Sequence, residues 1–299
     1  MAKRSGILLF YPFEEKRFLK WDCPALIQPK LDGFRCRAEQ GANLFSSEVE
    51  DIVSVPHIKN QVSRLQKYFP YHFDGELYKH GWNFNEISSV CSRTVNLHED
   101  YRQMNYYIFD IVDLSSLQSQ RTQTLKVVET ILKEEASSFP NLKIVPSYLC
   151  YTLQDVYEYY KQFLDDGFEG IIVRHPFATY VTRRSPFGMK FKPKKDDWYN
   201  VSHFTEAISK EGLPKNMLGA IWCYGNDGTI FKIGAGMLTH EERKYLWQNR
   251  EEFLATPKRV HVQYQNITPD GIPRFGLCLS SEFEDAPEKM NYNPLVDGF

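Results

Sequence analysis

Pro29-Lys-Leu-Asp-Gly-Phe-Arg35 reads PKLDGFR, and its setting decides how the chain is read. A lysine follows a proline and precedes an Asp-Gly turn, with Ala-Leu-Ile before the stretch and Phe-Arg-Cys within and after it. That places an amine at the inner end of a strand, beside an aspartate, an arginine and a backbone reversal. A hairpin turn with a chance ion pair would explain the string by itself. Other strings in the chain decide against that reading.

Composition narrows the field first. The length, 299 residues, allows one large domain or two ordinary ones. Hydrophobic residues at 42% and charged residues at 25% give an ordinary globular balance. No apolar run reaches the ~20 residues of a membrane span, and the first residues lack a convincing signal peptide, so an intracellular protein with no membrane partner is expected. The six cysteines are scattered without a C-x-x-C pair, which argues against a structural zinc site and a disulfide framework. A formal net charge of -2 is far from that of a protein coating nucleic acid non-specifically; any such contact needs a local patch.

Along the chain, Pro56–Tyr68 sets Ile58, Val62 and Leu65 on one helical face, with Pro56 suited to the first turn. Gln120–Ala136, carrying Leu125, Val128 and Ile131 or Leu132, and Leu153–Leu164, carrying Val156, Tyr157 and Tyr160, repeat the pattern. Strand-like runs lie between them at Tyr106–Val112, Lys143–Val145 and Gly170–Arg174. Irregular alternation predicts an α+β arrangement with antiparallel sheets. After Lys195 the texture changes to short strands. Leu218–Tyr224 and Thr229–Ile233 flank a Gly-Asn-Asp-Gly turn, Thr239–Glu242 is a capping box opening a helix, and Arg259–Tyr264 and Arg274–Leu279 flank a Pro269-Asp-Gly271 turn. This predicts a small Greek-key barrel of the OB type. The charged stretch Pro193–Asp197 marks the boundary, giving domains 1–195 and 196–299.

Five further strings carry chemistry: Phe73-Asp-Gly-Glu-Leu77, Tyr107-Ile-Phe-Asp110, Glu169-Gly-Ile-Ile-Val-Arg174, Arg184-Ser185 and Met189-Lys-Phe-Lys192. Singly they read as a turn, a core aromatic and a wet strand face. Together, on strands or strand ends, they describe one pocket. Lys190 and Lys192 stand two apart, so both ammonium groups point to one side. The carboxylates Glu76 and Glu169, several cations and an aromatic face fit a nucleoside triphosphate with its metal. No G-x-x-x-x-G-K-[ST] string is present, so this is no P-loop. With the phosphates served by Lys190 and Lys192, Lys30 is spare and can be the nucleophile. It attacks phosphorus only as the free amine, so neighbouring cations and a metal must lower its usual pKa of about 10.4, with Asp32 orienting the amine or reaching the metal's water shell.

In this order, K-x-D-G-x-R, D-G-E, the aromatic-Asp strand, E-G-x-x-x-R and K-x-K resemble the motifs of the covalent nucleotidyltransferases. The tail resembles the OB domain of compact viral and bacteriophage ATP-dependent DNA ligases, through Leu218-Gly-Ala-Ile221, Phe231–Gly236, Leu246–Asn249 and Val262–Phe275. The resemblance implies an adenylation domain followed by an OB barrel. The activity it implies is sealing of 5′-phosphate/3′-hydroxyl nicks in duplex DNA by a monomer, with ATP and Mg²⁺ (or Mn²⁺), through a lysyl-AMP and a DNA-adenylate. By resemblance, Lys30 takes AMP, Arg35 holds phosphate or the nick terminus, Glu76 contacts the ribose and Phe109 stacks on adenine. Gln28 reads the adenine edge, Lys190 and Lys192 neutralise the α-phosphate, and Glu169, with Glu76 and Asp32, binds the metal. Arg184 meets the nick 5′-phosphate. From Val181 to Asn200 six cations, Arg183, Arg184, Lys190, Lys192, Lys194 and Lys195, face two aspartates, a patch suited to DNA phosphates.

Two positions depart from the family. Glu48 stands where motif Ia carries arginine, and Ser281 or Glu282 stands where motif VI does, which implies slow self-adenylylation, offset by Lys232, Lys258 or Arg274. The short stretch after Val201 implies that a DNA-encircling hairpin is small or missing. An RNA ligase or mRNA guanylyltransferase would share Lys30 and its pocket, though the tail argues against both. A nick-binding protein with a decayed catalytic set is the remaining alternative.

Overall fold

A computed structural model describes residues 6–225, 228–264, 266–268 and 270–286. The chain divides into two compact units, Met1–Lys192 and Pro193–Phe299.

The first unit is built on two five-stranded sheets. One runs Leu9–Pro12, Arg184–Phe191, Gly170–Arg174, Ala25–Lys30, Tyr148–Cys150. The other runs Leu44–Phe45, Phe34–Ala38, Phe73–Tyr78, Asn105–Ile111, Leu142–Ile144. PKLDGFR is therefore no hairpin. Lys30 ends a strand of the first sheet, Phe34 begins one of the second, and Leu31, Asp32 and Gly33 carry the chain across. Glycine is needed at this crossing because a Cβ on Gly33 would lie 2.5 Å from the Leu77 carbonyl oxygen and 2.6 Å from Glu76 Cγ.

Most ladders are antiparallel, as expected, but each sheet contains one parallel pair. Leu9–Pro12 runs parallel to Arg184–Phe191, and Asn105–Ile111 to Leu142–Ile144. The second pair has the crossover helix that parallel strands require, Gln118–Glu134. That helix begins two residues before its predicted start and buries Leu125, Val128 and Leu132. Pro56–Tyr68 buries Ile58, Val62 and Leu65 as its spacing demands. Both pack on the second sheet around Phe73, Leu77, Tyr106 and Ile108, while Leu153–Asp165 packs on the first sheet through Val156 and Phe163. Tyr157 does not turn inward; it is exposed and its hydroxyl donates to Glu15.

The second unit is a closed barrel. Its first strand, Lys195–Ile208, pairs at one end with Lys258–Tyr264 and at the other with Pro214–Tyr224. Ile230–Gly234 and Leu277–Cys278 complete the circuit. The charged stretch that marks the boundary runs into the barrel, because Lys195, Asp196 and Asp197 stand opposite Tyr264, Gln263 and Val262. Tyr199, Phe204, Ile221, Phe231, Ile233, Val260 and Val262 fill its centre. Thr239 and Glu242 cap the helix His240–Gln248, as the sequence predicts. The predicted strand Arg274–Leu279 is split. Phe275 has a φ of 57°, so Pro273–Arg274 pairs with Asn266–Ile267 while Leu277–Cys278 joins the barrel. Asn226 and Asp227 of one predicted turn, and Gln265 and Pro269 of the ligase-like tail, lie outside the described residues.

Candidate active site

Register brings the predicted pocket together. Lys30 stands opposite Gly170, and Gln28 opposite Ile172, which in turn faces Lys190. Alternation then puts Gln28, Lys30 and Lys190 on one face of the first sheet. Lys192 lies just past its strand and reaches Glu169, whose carboxylate is shared between two ammonium groups. Oε2 accepts from Lys30, and Oε1 accepts from Lys192 at 3.0 Å. Glycine must follow this glutamate, since Gly170 has a φ of 143° and a Cβ there would sit 2.2 Å from the Phe191 carbonyl oxygen.

The charges are tightly coupled. Burial would push the Glu169 carboxyl up, but Lys30 and Lys192 outweigh it and hold the group below the usual carboxylate range. Lys192 is lowered, by burial first and by the Lys30 charge, against the pull of Glu169 and Asp32. Glu76, on the second sheet, is pushed up to about 7 by burial, with Arg35 and Lys30 opposing the shift. Asp32, Glu76 and Glu169 thus share one field with Lys30 and Lys192.

Arg35 pairs with Glu76 across the ladder but spends its guanidinium elsewhere. Nε donates to Asp74 Oδ1 at 2.7 Å and Nη2 to Oδ2 at 2.5 Å. Asp74, read as an ordinary turn residue, is a fully buried strand residue. The Arg35 guanidinium also lies over the Phe109 ring, 4.6 Å from its centroid, and Arg174 lies 5.4 Å from the same ring. Behind Phe109 is a cluster that spacing alone did not single out. Asp110 accepts from Arg121 at 2.7 Å and from Arg174 at 2.6 Å, and Gln118 bonds both arginines. Gln28 Nε2 donates to the Phe109 carbonyl at 3.2 Å and to Ser147 at 3.0 Å, while its buried Oε1 has no partner among the described residues.

The remaining predicted cations are not drawn into this cluster. Arg183, Arg184, Lys194 and Lys195 are exposed, and Arg184 donates to the Phe10 carbonyl at 2.6 Å. Glu48 is exposed in a turn where Ser46 Oγ accepts from its N–H. Ser281 donates to Glu242 at 2.6 Å and Glu282 is exposed. Of the cations named as substitutes for the missing arginines, Lys258 is tied to Asp285 at 2.5 Å, Lys232 lies over Trp222 and Arg274 lies near Phe275. Between Ile208 and Pro214 the barrel has only a short connection, so no long hairpin occupies that stretch.

Among the described residues no three His, Cys, Asp or Glu side chains form a ready metal cage. The carboxylates present do suit Mg²⁺, which takes one or two of them and draws its other oxygens from phosphates and water. No helix among the described residues is long and apolar enough to cross a membrane.

Known protein families match the chain over both units. Residues 14–192 match the ATP dependent DNA ligase domain, and residues 211–280 the DNA ligase OB-like domain. The chain is 24% identical over 271 residues to a DNA ligase of Haemophilus influenzae, covering 91% of this chain and 90% of that protein. It is 25% identical over 277 residues to a DNA ligase of African swine fever virus, of which it spans 63%. A solved structure of a Lig E DNA ligase superposes with a TM-score of 0.69 at 21% identity, over 92% of this chain and 98% of that one.

Proposed function

Because the chain belongs to the ATP-dependent DNA ligase family, we propose that it seals 5′-phosphate/3′-hydroxyl nicks in duplex DNA, with Lys30 as the residue that carries AMP. The observation that supports this best is the single carboxylate of Glu169 shared by Lys30 and Lys192 at the crossing between the two sheets.

Lys30 gives up a proton and its nitrogen attacks the α-phosphorus of ATP. An N–P bond forms, and the bond to pyrophosphate breaks. Before attack the amine must leave Glu169, and Lys190 and Lys192 then neutralise charge on the α-phosphate. Phe109 stacks on adenine. Gln28, whose buried Oε1 has no partner among the described residues, reads the adenine edge on this proposal. Glu76 meets the ribose. Glu169, with Glu76 and Asp32, would hold Mg²⁺ (or Mn²⁺), which neutralises phosphate charge when bound.

AMP then passes to the 5′-phosphate of the nick, and the 3′-hydroxyl displaces it as the phosphodiester forms. Arg35 presents its unused Nη1 to the nick terminus, and Arg184, Arg183, Lys194 and Lys195 meet flanking phosphates. All six cysteines are unpaired, which suits a reducing intracellular compartment. The protein acts as a monomer on this reading.

The test is nick sealing on DNA and RNA strands with labelled ATP or GTP and Mg²⁺, with Lys30→Ala as control. Expected are a protein-AMP from ATP that survives denaturation and alkali but not acid, as an N–P bond does, sealed DNA, and neither product from the variant. Labelling from GTP alone, or an adduct that survives in Lys30→Ala, would sink the proposal.

A further inference from the structure

Behind Arg35 lies a ring of hydrogen bonds drawn from four separate segments. Tyr180, 1% exposed, donates its hydroxyl hydrogen to Asp74 Oδ2 at 2.6 Å and accepts from the Leu8 N–H at 3.2 Å. Asp74 takes Nε and Nη2 of Arg35, and Nη2 also donates to the Leu8 carbonyl at 3.3 Å, which closes the ring. The one guanidinium nitrogen that no acceptor among the described residues takes is Nη1. A guanidinium is planar, so fixing Nε and Nη2 fixes where Nη1 points. The side chain stays 23% exposed.

A space-filling tyrosine would need no hydroxyl here, because phenylalanine has nearly the same volume. The hydroxyl adds a second donor to the carboxylate oxygen that Nη2 uses, and so restricts rotation of Asp74. The ring of Tyr180 is itself held, with the Arg121 guanidinium 5.7 Å from its centroid and tied to Asp110. The geometry points to Tyr180 as a positioning residue, whose hydroxyl locks Asp74 so that Nη1 of Arg35 is aimed at the nick terminus. This rests on the role given to Arg35 above.

Tyr180→Phe in the full chain tests it through two separate rates: formation of protein-AMP from ATP, and sealing of a nicked duplex whose 5′ end already carries AMP. Loss of one hydrogen bond to a charged group should slow sealing about tenfold, with adenylylation changed less than about twofold. In an Arg35→Ala background the same substitution should change sealing by less than about twofold, because the group it positions is gone. Equal losses in both rates that track a lower Tm would mean a merely structural role and overturn the inference. So would the full tenfold loss persisting without Arg35. If Tyr180→Phe fails to fold, Asp74→Asn, which keeps the shape and removes the charge, must give the same split between the two rates, and an even loss overturns the inference. Normal sealing by Arg35→Ala would reject the role of Arg35 and this inference with it. Slow sealing there, with normal sealing by Tyr180→Phe, rejects this inference alone.

Discussion

Lys30 and Glu169, 139 residues apart, are joined twice. The Glu169 N–H donates to the Lys30 carbonyl at 3.0 Å, and the Lys30 ammonium donates to Glu169 Oε2. The backbone bond fixes the distance between the two residues whatever the side chains do. The carboxylate can therefore release the amine and remain beside it. Glu169→Gln keeps the backbone link and the shape but removes the charge. It should fold normally and form protein-AMP about 100-fold more slowly, a loss of the size seen when one electrostatic contact to a reacting centre is removed. A rate within threefold of the parent would mean that the carboxylate has no part in the first step.

Glu76 sets a pH dependence. Its carboxyl is raised to about 7 in the folded protein, from an ordinary value of 4.5. Between these values the folded state holds a proton that the unfolded state has lost, so this group's contribution to stability is full below pH 4.5 and falls as pH rises through 7. Relative to Glu76→Gln, the parent should lose up to about 3 kcal/mol of stability across that window, less whatever water screens. Urea unfolding of both proteins at several pH values checks the sign. If Glu76 works ionised, the adenylylation rate should also climb to a plateau with an apparent pKa near 7, and that limb should be absent from the glutamine variant.

How far the sequence carried can be seen at particular residues. Helix Pro56–Tyr68 was legible because Ile58, Val62 and Leu65 repeat at helical spacing behind a proline. Phe84–Cys91 was not read as a helix, although Asn83 and Glu86 form a capping box that could have signalled it. Lys30, Glu169 and Lys192 were legible as a set because each belongs to a short local string. Tyr180 was not, since a tyrosine joined to an aspartate 106 positions away leaves no local spacing to find. The start of the long first barrel strand was missed for another reason: Lys195-Asp-Asp197 reads as part of a charged domain boundary, and only pairing with Lys258–Tyr264 makes it a strand.

Gly170 joins fold to site. Gly170→Ala must place a side chain at a φ of 143° with its Cβ 2.2 Å from a backbone oxygen, and backbone cannot step aside as a flexible side chain would. The expected loss is about 3 kcal/mol in urea unfolding, together with slower adenylylation, because any relief moves Glu169 away from Lys30. Full stability with normal adenylylation would show that the strand can shift without disturbing the pair.

The missing arginines make a prediction in the opposite direction, toward a faster enzyme. Ser281 donates to Glu242, and neither Ser281 nor the exposed Glu282 offers a cation to a triphosphate. Ser281→Arg or Glu282→Arg should raise the rate of protein-AMP formation about tenfold at limiting ATP, the worth of one good charge-assisted contact. Sealing of a pre-adenylylated nick should not change. If neither variant is faster in the first step, the slow self-adenylylation inferred from these positions is wrong.

Arg183, Arg184, Lys194 and Lys195 are exposed, and none takes part in an ion pair among the described residues. Cations outside ion pairs have the most to gain from DNA phosphates, because binding releases DNA counterions without first breaking an internal pair. Each alanine substitution should weaken binding to a nicked duplex irrespective of sequence, and reduce the slope of log affinity against log salt by about 0.9. Lys192 is different, since its charge is already balanced by Glu169; Lys192→Ala should act on adenylylation and leave that slope nearly unchanged. Filter binding across a salt series reads both effects. Four unchanged slopes would move the DNA contact to another surface, whereas a slope lowered by Lys192→Ala would mean that Glu169 gives up this lysine when DNA binds.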